Sequence, residues 1–317
     1  MGNDEGMPGD RAKRQWKRRR GKETLKEKTV EKKRRTQLGI GSWTYPYHCG
    51  LGGLIRPELA VKQAMPPCEL IEKAKKYNLH YVQICENSPL AHCLPQELAD
   101  IRRKAEENGI KLEVGMRGAA RGNLLRMIAI AEKLDAKLLR CVIDDNGYEP
   151  DLEEIIITLK SVLPVLEEKD IVLGIENHDR FKAEEFAYIM ERLDSRRYGI
   201  VLDTTNSLSQ EETVEEVLNW LAKYTVCLHF KDYTIVRSPG SVGLQIVGTP
   251  VGRGRQKVEM ILERLGKEAQ QDFSTIIEFW MPSEDNLDKT LKKEEEWAEE
   301  SILYLKKLFG ETGLTDS

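Results

Sequence analysis

Residues 171–181 read IVLGIENHDRF. Five apolar or small residues, three of them β-branched, suit a short buried strand. The run then breaks into Glu176, Asn177, His178 and Asp179, four polar side chains in succession. A buried strand that hands polar groups to the solvent at its C-terminal end is the repeating unit of an α/β fold whose site lies along that edge.

Working outward, seven more runs have the same character: QLGIGSW (37–43), HYVQIC (80–85), IKLEVGM (110–116), KLLRCVI (137–143), YGIVL (198–202), YTVCLHF (224–230) and STIIEFW (274–280). Segments with apolar residues at i, i+3 and i+4 follow each of them. They cover residues 66–78, 94–108, 123–135, 151–169, 182–193, 211–223, 255–266 and 292–309. Eight strands, each followed by a helix, predict one α/β domain over residues 37–317, a single (β/α)8 TIM barrel. An open doubly wound sheet would want G-x-G-x-x-G running from the first strand into a helix. The segment GSWTYPYHCGLGG has glycines without that arrangement.

Punctuation agrees with these elements. Pro66-Pro67 marks an opening turn, while Asn108-Gly109 and Gly266 mark closing turns. Pro164 is expected to kink or split the fourth helix. The connections Thr44–Met65 and Lys231–Gly254 are longer than a barrel needs, and both fall at its C-terminal mouth.

Composition excludes several classes. No apolar run approaches the roughly 18 residues that span a bilayer, and no secretory leader is visible, so a soluble cytoplasmic body without a membrane partner is expected. The six cysteines form no C-x-x-C pair and read as small buried hydrophobes. Residues 1–36 hold 14 Lys/Arg against 6 Asp/Glu, a balance of +8 that leaves −12 for the remainder of a chain at −4. The basic extension reads as a disordered, solvated arm, with phosphate binding or a natural start nearer Gln37 as alternatives. An acidic body weighs against nucleic acid as a partner.

The strand ends carry the chemistry. Asp203 closes YGIVLD, His229 lies near the end of YTVCLHF, and Glu278 sits in STIIEFW. From Glu176 the spacings are 27, 26 and 49 residues, so each group comes from a different strand. Alone, each has an ordinary reading as a helix cap or a satisfied core group. Together, three carboxylates and one imidazole at one mouth would repel unless a cation gathers them, and they suit Mn²⁺ or Mg²⁺, with Zn²⁺ and Co²⁺ also accommodated.

The set GIENH, VLDTTN, LHFKD and IIEFW, with LGIGSWTY at the start and GRG at 252–254, resembles the xylose isomerase-like TIM-barrel superfamily of sugar phosphate isomerases and epimerases. That resemblance implies one divalent metal held by Glu176, Asp203, His229 and Glu278. It further implies that Glu176 and Glu278 exchange protons with carbon, a keto-sugar substrate, an ene-diolate intermediate and a homo-oligomer. The phrases ENSPL and LHFKDYTIVR are similar to a subgroup acting on oxidised sugar acids, such as 3-oxo-isoapionate decarboxylase.

Isomerisation or epimerisation is therefore the leading expectation. The alternative is a lyase that decarboxylates a 3-oxo sugar acid or cleaves a 3-oxo C-glycoside, with His178 as acid/base and Lys231 as electrostatic partner, unless Lys231 simply pairs with Asp232. The same superfamily contains DNA-repair endonucleases with several zinc ions, which need more than the five histidines present. Trp43, Tyr45, Glu86, Asn87, Arg117, Asn206, Arg253 and Trp280 are candidate substrate contacts, the aromatics by stacking on sugar faces and the arginines by holding carboxylate or phosphate. Asp144 is a lesser strand-end candidate.

Overall fold

The computed structural model describes residues 36–310, so the basic extension lies outside the described residues. The eight apolar runs form strands β1 (Thr36–Gly41), β2 (Tyr81–Ile84), β3 (Lys111–Arg117), β4 (Leu138–Val142), β5 (Val172–Glu176), β6 (Tyr198–Asp203), β7 (Thr225–Phe230) and, after a hairpin of β8 (Asp232–Arg237) and β9 (Leu244–Thr249), β10 (Phe273–Ile277). They close in the order β1-β10-β7-β6-β5-β4-β3-β2, all pairs parallel. This is the (β/α)8 barrel that the alternation predicts.

The outer ring consists of α1 (Leu51–Ile55), α2 (Pro67–Lys76), α3 (Pro95–Glu107), α4 (Arg121–Lys133), α5 (Leu152–Lys169), α6 (Ala183–Leu193), α7 (Val214–Leu221), α8 (Val258–Glu268) and α9 (Leu287–Leu308). Their buried faces follow the helical period: Leu98, Ile101 and Ala105 in α3, or Ile155, Ile156, Leu159, Val162 and Leu166 in α5. No described helix is long and apolar enough to cross a membrane. Gly39 lets β1 and β2 meet, since a Cβ there would lie 2.5 Å from Tyr81 Cβ.

Three local expectations are corrected. Pro164 neither ends nor divides α5. It sits on the solvent face, as does Lys160, whose carbonyl loses its partner, so water can take the freed acceptor. Gly266 lies within α8 rather than closing it. Helix α7, expected over 211–223, begins at Val214 because Thr213 forms a capping box with Glu216, its oxygen accepting from Glu216 N at 3.3 Å while Glu216 accepts from Thr213 N at 2.8 Å.

The hairpin β8–β9 occupies the long connection after β7 and was not anticipated. Its alternating DYTIVR and LQIVGT around the turn SPGSVG are the signal that a search for helices passes over.

Candidate active site

Strand register brings the polar ends together. Asp203 is the registered partner of His229 across β6 and β7, where the pairing shifts by one residue between Ile200 and Val201. Ile277 pairs with Phe230, so the next residue on each strand, Glu278 and Lys231, emerge side by side. Glu176, the last residue of β5, is opposite Val201, two residues before Asp203 and therefore on the same face.

Glu176, Asp203 and His229 each offer one ligand-capable atom within 4.8 Å of the others, and all three are buried. Glu278 is equally buried, with Oε1 3.2 Å from His229 Nδ1, while Glu176 Oε2 is 3.3 Å from the same nitrogen. Among the described residues, neither His229 Nδ1 nor Glu278 Oε1 has a hydrogen-bond partner. Buried acceptors left in that condition are costly unless something positive stands between them. Glu176, Asp203 and His229 could hold one divalent cation, with Glu278 beside them.

Two buried cations partly offset the negative charge. Arg140, inside β4, donates from Nε to Glu176 Oε2 and from Nη1 to Glu86 at 2.8 Å. Lys231 donates to Asp203 Oδ2 and to Glu278 Oε2, the latter at 2.8 Å. Asn206 donates to Glu176 Oε1 at 2.9 Å, and Asp203 Oδ1 accepts from the backbone N–H groups of Thr205 and Asn206 at 2.8 and 2.9 Å. With His229 neutral, four carboxylates thus face two fixed cations, an excess of two negative charges that one divalent ion balances.

Burial alone would push the Glu176 carboxyl up, but Arg140 and then His229 hold it well below the usual carboxylate range. Burial likewise pulls down on Lys231, and Asp203 and Glu278 reverse this and raise it, so its ammonium stays charged. For His229 burial lowers and Glu278 and Glu176 raise, leaving the imidazole above its ordinary value. A metal must therefore displace a proton from this ring wherever the ring is still protonated. Affinity for Zn²⁺ or Mn²⁺, measured by calorimetry, is expected to rise with pH until the ring is neutral; an affinity flat across that window would remove His229 from the cage.

Over this cage lies a cavity of about 230 Å³ to which all eight barrel strands contribute at their C-terminal ends. Its lining mixes polar side chains, among them Glu86, Arg117, His178 and Lys231, with apolar ones such as Trp43, Phe279, Trp280 and Met281. A lining of both aromatic and polar groups suits a polyol, whose C–H faces stack on aromatics while its oxygens meet polar groups. His178 Nδ1 is 2.8 Å from Asp179 Oδ2. Larger cavities of about 520 and 770 Å³ open at the opposite, N-terminal ends of the strands and carry no comparable cluster.

Three of the candidate substrate contacts stand away from this cavity. Tyr45 is packed in the core with no exposure, edge-on to His48 and under Lys73. Asn87 spends its amide on the carbonyl of Ser42 at 2.9 Å. Arg253 is 71% exposed and paired with Glu300 on the outside. Arg117, by contrast, lines the cavity and makes no ion pair with any described residue. Asp144 is engaged with Arg180 by two hydrogen bonds of 2.9 and 2.6 Å.

Lys231 does not pair with Asp232. That carboxylate instead accepts from the backbone N–H groups of Tyr233, Gly252, Gly254 and Gln256 at 2.8 to 3.0 Å. The G-R-G run at 252–254 follows from this: Gly252 has φ +87°, and a Cβ on Gly254 would strike the Asp232 carboxylate. Reading the sequence for strand ends missed Arg140, Gln83 and Glu113, which lie inside strands. Each is a polar residue in an otherwise apolar run, and that is the signal that finds them.

Comparison with known proteins gives a consistent answer. Residues 71–308 match the family described as xylose isomerase-like TIM barrel. The chain is 29% identical over 268 residues to 3-oxo-isoapionate decarboxylase of Pectobacterium atrosepticum, covering 84% of this chain and 95% of that protein. Among solved structures, D-psicose 3-epimerase of Clostridium cellulolyticum H10 with D-tagatose superposes with a TM-score of 0.61 at 17% identity, over 86% of this chain and 97% of the epimerase. The IOLI protein with a bound zinc atom gives 0.61 at 16%, over 86% and 98%.

Proposed function

Because the chain belongs to the xylose isomerase-like TIM-barrel family, we propose that it is a divalent-metal-dependent lyase that decarboxylates a 3-oxo sugar acid. The observation that carries this reading is the occupation of both glutamates by buried cations, Arg140 on Glu176 and Lys231 on Glu278. Epimerisation through an ene-diolate asks for a free base on each face of one carbon. A carboxylate held down by a guanidinium, as Glu176 is, is a poor proton acceptor.

Loss of CO₂ from a 3-oxo acid needs no base. The C1–C2 bond breaks, its electron pair moves into the C2–C3 bond as the ketone oxygen takes the negative charge, and C2 then accepts a proton. A bound divalent cation supplies Lewis acidity toward that developing charge. Lys231, kept protonated between Asp203 and Glu278, adds a second positive charge in a site shielded from water. His178, oriented by Asp179 and exposed to the cavity, is placed to deliver the proton to carbon. Arg117, a cavity-lining cation that makes no ion pair with any described residue, attracts the acid into the site. The sequence relative named as a decarboxylase supports the same reading.

The rival chemistry, isomerisation or epimerisation of a ketose, has one observation in its favour: Glu278 Oε1 carries no hydrogen bond and offers a free base to one face. Proton NMR of the metal-loaded protein in D₂O, with ketoses and 3-oxo sugar acids and a chelator control, separates the two. Release of CO₂ with a shortened, deuterated ketose is the expected result. Chelator-sensitive deuterium uptake into a ketose whose carbon skeleton is retained would overturn the decarboxylase reading in favour of the isomerase. Arg117→Met is expected to raise KM for the acid by about tenfold or more while leaving binding of neutral ketoses unchanged, as follows from losing one charge-assisted contact.

A further inference from the structure

We propose that Gln83 is a positioning residue that determines which nitrogen of His229 faces the cage. Gln83 is the third residue of β2, fully buried, and its contact with His229 on β7 crosses the lumen of the barrel. Its Oε1 lies 2.8 Å from His229 Nε2. Its amide orientation is set by two neighbours: Nε2 donates to Glu113 Oε2 at 3.0 Å, and Cys85 Sγ donates to Oε1 at 3.3 Å. Turning the amide over would press its oxygen against the Glu113 carboxylate.

An amide oxygen only accepts, so His229 Nε2 must carry the proton that it receives. The neutral ring then presents a bare Nδ1, 3.3 Å from Glu176 Oε2 and 3.2 Å from Glu278 Oε1. Nδ1 is then the ring atom that faces the two carboxylates, and neither it nor Glu278 Oε1 has a hydrogen-bond partner among the described residues. The chain Glu113–Gln83–His229 thus prepares a ligand nitrogen from inside the barrel, on the side opposite the substrate cavity. A backbone carbonyl or carboxylate commonly fills this role beside a metal-bound histidine; here a side-chain amide held by a second buried residue fills it.

The inference rests on the metal reading of the cage, and two measurements keep them apart. The first is ¹⁵N NMR of metal-free protein labelled with ¹⁵N-histidine, titrated to alkaline pH until the His229 signals stop moving. His229 is expected to show a protonated Nε2 and a bare Nδ1; a protonated Nδ1 would overturn the assignment whether or not the protein binds metal. The second is calorimetric titration with Zn²⁺ of the wild type, Gln83→Met and the double variant Gln83→Glu/Glu113→Gln, which keeps an acceptor toward His229 and a donor toward it from position 113. Gln83→Met is expected to weaken Zn²⁺ binding by about 10–100-fold and to give His229 a mixed tautomer, and the double variant to recover both. Wild-type affinity in Gln83→Met would sink the proposal, as would a double variant that folds but recovers neither property.

Discussion

Arg140→Met is expected to cost about 3–5 kcal/mol of stability in urea unfolding of the metal-free protein, the loss seen when one partner of a buried charge pair is removed. The guanidinium is almost wholly buried and ties two carboxylates, Glu176 with no side-chain exposure and Glu86 with 24%. Glu86 can turn toward water after the substitution; Glu176 cannot. The pH dependence should change with it.

In the wild type Glu176 is depressed, so its contribution is present above the ordinary carboxylate range and is lost as pH falls through its lowered value. Without Arg140, only His229 and Lys231 oppose burial, so the Glu176 carboxyl should rise from its wild-type value and the deficit of the variant should shrink as pH falls below that higher value. Adding Glu176→Gln to Arg140→Met should restore much of the loss by removing the stranded charge. A deficit under about 1 kcal/mol, the range of an exposed ion pair, would mean that the pair does not hold the site together.

The second large effect is on turnover. Lys231→Met should lower kcat for the acid by about 10²–10³-fold, the usual cost of deleting one preorganised donor to a developing anion. The same substitution should tighten divalent metal binding. Lys231 occupies Asp203 Oδ2 and Glu278 Oε2, lone pairs that a metal also wants, and its removal leaves the cage one charge more negative. Slower turnover with tighter binding separates an electrostatic catalyst from a structural prop, whose loss would weaken both. Unchanged turnover would exclude Lys231 from the chemistry, and a gain of deuterium exchange into ketoses would show that the ammonium had been suppressing Glu278 as a base.

Much of the architecture was legible in the chain. Each strand is a short apolar run and each helix a 3.6-residue pattern, and both are local properties that survive without knowledge of any partner. Eight alternations leave few ways to bury a parallel sheet on both faces, so the closed barrel followed. Glu176, Asp203, His229 and Glu278 could be picked out because a strand's C-terminal end in such a barrel always opens into the same mouth. Where local reading failed, a local competitor was responsible: a proline on a solvent face at 164, a capping threonine at 213, a hairpin turn after Arg237.

The amino-acid order by itself determined the barrel, its mouth and the four groups gathered there. Only the tertiary structure decided what each group is joined to. Lys231 stands next to Asp232 in the chain, yet its ammonium reaches Asp203 and Glu278 because adjacent residues at a strand end point in opposite directions. Arg117 and Arg253 look alike in sequence, and closure of the barrel puts one in the cavity wall and the other outside against Glu300. Arg140 and Gln83 sit in the middle of apolar strands, where only the stacking of layers in the lumen, set by the stagger of all eight strands at once, brings a guanidinium to Glu176 and an amide to His229.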